Sequence, residues 1–187
     1  MTPERLKLLQ PNNLRPGPVD DEHTSIVHVG PPSEGAARVY IWQEMLHALI
    51  DAALQDPDQT RTALLLGATS VSPGKVNLEL RGYSELAAYE NLTEFCRATN
   101  EYWPQLLNRI ERRGDGLQIF GWVCMQTGDE GALTRVHQVT HRSFFNYPHQ
   151  VFLNIDPASR RVALYGFDEN GRLVHIGFDL VRPRNAV

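Results

Sequence analysis

The chain has 187 residues, a formal net charge of −4, 42% hydrophobic and 21% charged residues. That balance suits one soluble globular domain with a real core plus a tail. The net negative charge argues against nucleic-acid binding, which needs clustered Lys and Arg, and no basic run interleaved with aromatics appears. The two cysteines, Cys96 and Cys124, cannot make a disulfide framework and suit a reducing cytoplasm. No apolar leader opens the chain, and no apolar run approaches the ~20 residues that a membrane helix needs. A cytoplasmic protein without membrane insertion is the expectation.

Residues 1–37 form a proline-punctuated arm, with Pro3, Pro11, Pro16, Pro18, Pro31 and Pro32 in a polar stretch. It is expected to be a partly ordered extension, with Ile26–Val29 as a candidate added edge strand. From Arg38 the pattern tightens. Trp42, Met45, Leu46, Leu49, Ile50, Ala53 and Leu54 recur at helical spacing, and Asp56-Pro57-Asp58 ends the helix. Thr62–Gly67 reads as a strand buried on both faces. Val76, Leu78 and Leu80 alternate with Asn77, Glu79 and Arg81, the pattern of a half-buried strand.

Ser84–Arg113 reads as helix in two pieces, the second capped by Asn100 with Pro104 in its first turn. Leu117–Met125 follows as a central strand, then a Gly-rich loop and a helix over Val136–Phe145. Strands over Gln150–Asp156, Arg161–Phe167 and Arg172–Leu180 close the chain, the last two joined at Asn170-Gly171, a hairpin-turn signal. This order predicts an α/β (α+β) sandwich with a mainly antiparallel central sheet flanked by helices. The domain covers 38–182, with a short tail at 183–187.

The stretch Gln118-Ile-Phe-Gly-Trp122, followed by Val139-Thr-His-Arg-Ser-Phe-Phe-Asn-Tyr147, resembles bacterial JAMM/MPN (Mov34) domains. The resemblance spans roughly 38–182 and implies their cytidine-deaminase-like fold. In catalytic relatives the Gly-Trp strand runs into His-x-His-Pro and then Ser-x-x-Asp, while a Glu precedes the Leu-rich strand's final glycine by seven residues. Alternate strand residues point the same way, so His-x-His aims two imidazoles together. The Asp completes an open three-ligand zinc site, and the Glu is the general base.

Laid on this chain, the frame holds and the chemistry fails. Cys124 and Gln126 stand at the histidine positions, Thr127 at the proline, Thr134 at the serine and His137 at the aspartate. Thr60 stands where the base should be. The resemblance therefore implies a catalytically inactive MPN-domain protein with no zinc or other cofactor. It would act as a scaffold subunit that dimerises with itself or another MPN chain. Relatives pair through helices outside the sheet, which here makes Trp42, Met45, Leu49, Trp103 and Leu107 the candidate partner-binding residues.

The competing expectation is a zinc or thiol hydrolase with an altered Cys124/His137 site, in which His141 is a second possible partner for the thiol. Without either chemistry, Cys124 is a small buried hydrophobe. Phe144, Phe145 and Tyr147 are expected to pack the last helix onto the sheet. The loop Thr127–Ala132 reads as a flexible remnant of an active-site rim.

Overall fold

In a computed structural model of the chain, residues 15–32, 37–72, 75–84, 87–89, 92–112 and 115–184 are described. The N-terminal segment contributes two strands, β1 (Arg15–Pro16) and β2 (Thr24–Val29). The first tight hydrophobic stretch splits at Trp42 into β3 (Arg38–Trp42) and α1 (Gln43–Gln55). Met45, Leu46, Leu49 and Ala53 are the buried stripe of α1, at the i, i+3, i+4 spacing that places side chains on one helix face.

β4 (Thr60–Ser72) is twice the length that the apolar run suggests, and a register shift between Leu66 and Gly67 accommodates its pairing with β5 (Lys75–Tyr83). β5 departs from the half-buried reading: Asn77 and Glu79 are as buried as Leu78 and Leu80. Polar side chains disguise its second covered face. A short β6 (Ala87–Tyr89) pairs with the start of β4, inside the stretch read as helix.

α2 (Leu92–Arg112) is one helix, not two, with Asn100 and Pro104 in its interior. A mid-helix proline removes a donor and crowds the preceding turn. The continuous face of Phe95, Cys96, Trp103 and Ile110 nevertheless packs into a single cluster with Leu64, Leu66 and Trp122. Tertiary packing overrides the local break.

β7 (Gln118–Met125), α3 (Arg135–Phe144), β8 (Val151–Asp156) and β9 (Arg161–Phe167) fall close to their expected positions. The expected last strand is broken by Gly177 into β10 (Leu173–Ile176) and β11 (Phe178–Pro183). The sheet runs β10-β9-β8-β7-β4-β5-β3-β11-β2, with β1 and β6 side-paired to β4. One residue separates β10, at one end of that order, from β11, near the other. The sheet must therefore curl back on itself.

Six ladders are antiparallel and four parallel among the described residues. The fold is mixed α+β. β2 pairs along its full length with β11, so the candidate edge strand in the arm belongs to the sheet and the boundary at residue 37 does not isolate it.

Strand alternation divides the core. Ala63, Leu65, Leu153, Ile155 and Leu164 face α1, whereas Leu64, Leu66, Phe152, Ala163 and Tyr165 face the side of α2 and α3. Among the described residues no helix is long and apolar enough to cross a membrane.

Candidate functional site

The positions singled out on β7 lie at its C-terminal end, under the first turn of α3. Cys124 is flanked in register by Thr62 on β4 and Asn154 on β8, and all three are fully buried. Thr60 lies two residues before Thr62, so it shares that strand face. Thr134 is the N-cap of α3: its hydroxyl accepts from the His137 amide at 3.3 Å, and its own amide donates to His137 Nδ1 at 3.3 Å. This reciprocal box satisfies two donors that a helix start otherwise leaves bare.

That box fixes the state of His137. Nδ1 accepts a backbone N–H, so in the neutral ring the proton sits on Nε2. Burial lowers the pKa of His137 against the opposing pull of the Asp129 charge. The ring packs beside Phe152, at 4.8 Å between centroids. His137 is a neutral, capped, aromatic-packed side chain.

Cys124 is equally committed. Its thiol donates to Gln126 Oε1 at 3.6 Å, and Gln126 Nε2 donates to Asp129 Oδ2 at 3.1 Å. Burial, reinforced by the Asp129 charge, pushes the thiol's pKa far above the ordinary cysteine value. Nucleophilic attack and zinc binding both require the thiolate. With no cation beside it among the described residues, this thiol stays protonated.

Asp129 is the hub that the sequence did not reveal. Its Oδ2 also accepts from Asn154 Nδ2 at 3.0 Å, its Oδ1 from the Gly131 amide at 2.9 Å, and His137 Nε2 stands 3.8 Å from Oδ2. The Tyr165 hydroxyl donates to the Gly131 carbonyl at 2.6 Å, and the Glu130 amide donates to Asp156 at 2.8 Å. The loop read as a flexible rim is tied down from β8 and β9. The Asp-x-Gly spacing signals a turn, but nothing in it shows the carboxylate turning inward.

The residues that the resemblance sets at zinc-ligand positions do not fit the metal. An imidazole that ligates through Nε2 carries its proton on Nδ1 and donates it to a supporting group. Here the Thr134 N–H points at Nδ1, donor against donor. Gln126, in place of an imidazole, is bridged through its amide to Asp129. Among the described residues no three His, Cys, Asp or Glu side chains gather to hold a metal ion.

His141, the other candidate thiol partner, accepts from Trp122 Nε1 at 3.2 Å and is pushed down to about 4 by burial and the neighbouring Arg142. Of the candidate partner-binding residues, Met45 and Leu49 are buried in the core under α1 and cannot face a partner. Trp42 is half-buried beneath the Arg81 guanidinium. Trp103 and Leu107 are half-buried on α2, Trp103 against Phe144 and Phe145. No protein-family profile matches this chain, and no curated protein matches its sequence.

Proposed function

We propose that this chain is a degenerate domain of the MPN/JAMM type that acts by binding protein, either a second copy of itself or another MPN domain. The observation that carries the reading is the meeting of Cys124, Gln126, Thr134 and His137 at the end of β7 and the start of α3. The resemblance places a metal site at that spot. The side chains there are bound to one another: thiol to amide, amide to carboxylate, imidazole to the helix cap. The altered-site hydrolase is the weaker reading, because its nucleophile is a buried protonated thiol whose hydrogen bond goes to Gln126 and not to a histidine.

The surface that the resemblance offers to a partner is helical. Trp103 and Leu107 on α2 keep partial exposure, and Leu54 on α1 is 47% exposed. A stable interface buries ~1,200 Å² or more in total and is dominated by a few apolar anchors. Leu107→Glu is expected to weaken association by about 2 kcal/mol or more, since the new charge would be desolvated against the partner. Its melting temperature should stay near that of the wild type, whereas Leu49→Glu, a buried control, should lose the fold. Sedimentation velocity on the full chain and pull-down from the native cell test this together. A monomer at high concentration that recovers no partner would refute the scaffold reading.

A further inference from the structure

His28 Nδ1 lies 3.0 Å from Asp179 Oδ1 and Nε2 lies 3.1 Å from the Pro31 carbonyl oxygen. A carboxylate and a carbonyl can only accept. A neutral imidazole has a single N–H, so one of its nitrogens would turn a lone pair toward an acceptor. Only the imidazolium, with two N–H groups, satisfies both contacts.

The neighbourhood gives this contact leverage. Asp179 is the register partner of His28 across the β2–β11 ladder and also accepts from Arg38 Nε on β3. The Pro31 carbonyl lies over Gly177, the single residue joining β10 to β11. A Cβ at Gly177 would sit 2.1 Å from that carbonyl and 2.8 Å from the His28 ring. The groups facing His28 are thus Asp179 from β11, Arg38 from β3 with Tyr40 under its guanidinium, and Pro31 from the following turn. No other charged side chain lies on β2.

We propose that His28 is a proton-operated latch that, as the imidazolium, fastens β2 and its Gly30–Pro31 turn over the Gly177 crossing where the curled sheet closes. The hydrogen bond to Asp179, and then that to Pro31, raise its pKa above the ordinary histidine value. A raised folded-state pKa makes the stabilisation complete below the unfolded value of about 6.5, and it is lost as pH rises through the folded value. The side chain is 48% exposed, so protons and water reach it freely. The latch holds while His28 is the imidazolium and Asp179 the carboxylate, and it opens as pH rises through the folded-state value of His28.

Two measurements on the full chain test this. Long-range nitrogen–proton NMR should find both His28 ring nitrogens protonated at pH 6, with titration above 6.5, and Asp179→Asn should move that titration down. Amide exchange of residues 24–31, corrected for intrinsic base catalysis, should lose protection about threefold or more on passing from pH 6 to pH 9, the low end for a charge-assisted bond at a half-exposed group. His28→Gln, which keeps a side-chain amide but cannot titrate, should abolish that dependence. Asp179→Asn also strips Arg38 of its partner, so the wild-type titration and His28→Gln stand independently of whether it folds. A His28 that titrates at or below 6.5, or equal pH dependence in His28→Gln and wild type, would overturn the latch.

Discussion

Trp122→Ala is expected to destabilise the chain by about 3–5 kcal/mol, the scale for truncating a fully buried large aromatic. Trp122 is fully buried at the centre of the α2/α3-facing core. Its ring stacks on Phe152 at 4.4 Å and Phe95 at 5.3 Å, with Phe145 at 6.2 Å. Truncation removes the shared partner of strand β8, helix α2 and the end of helix α3 at once. It also strips His141 of its hydrogen-bond donor in a place where burial keeps the ring neutral. Trp122→Phe separates the two effects, retaining a stacking ring while losing the N–H, and should cost about 1–3 kcal/mol. Urea denaturation of the three proteins measures this. A loss below about 1 kcal/mol for Trp122→Ala would mean that the aromatic cluster does not organise the domain.

Gly121→Ala should be nearly as damaging, about 3 kcal/mol or more, although it adds only a methyl group. Gly121 opposes Val151 in the parallel β7–β8 ladder, and a Cβ there would lie 1.8 Å from the Val151 carbonyl oxygen. Backbone atoms in a central ladder have nowhere to move. The strands would have to separate at the pair that places Cys124 opposite Asn154 three residues further on. Melting by circular dichroism, with amide exchange on residues 121–125 and 151–155, reads both the loss and its location. A Gly121→Ala protein as stable as wild type would contradict the close approach of these strands.

The two residues of the Gly-Trp pair thus have separate physical reasons: Gly121 lets β8 approach, and Trp122 anchors the aromatic cluster. β7, α3, β8 and β9 are legible because each is an apolar or helical run bounded by turn residues such as Asn170-Gly171. β5 was misread as half-buried because Asn77 and Glu79 are polar, and hydropathy does not register polar groups that are buried. α2 was divided at Asn100 because Pro104 is a local signal. Its apolar face, continuous from Phe95 to Ile110, depends on a neighbour that the sequence does not display. The break at Gly177 hid inside an apolar run, because the crossing of the sheet seam is a tertiary event.

The candidate site shows the same division. Alternation along β7 put Cys124 and Gln126 on one face, and the Thr134–His137 spacing placed both on the first turn of a helix. The inward carboxylate of Asp129, the supporting amide of Asn154 and the tautomer of His137 come from elements 3–25 residues apart that meet only in the fold. Local pattern finds the positions. It does not find their hydrogen bonds.

Zinc analysis of the full chain decides whether the proposed degenerate site is held by internal hydrogen bonds in place of a metal. The protein would be purified from zinc-supplied cells without chelators. Zinc well below one per chain is expected, unchanged by Cys124→Ser or His137→Ala. His137 should also be found by NMR as the neutral Nε2-protonated ring. Close to one zinc per chain, lost on Cys124→Ser, would contradict this and make the altered-site hydrolase the better reading.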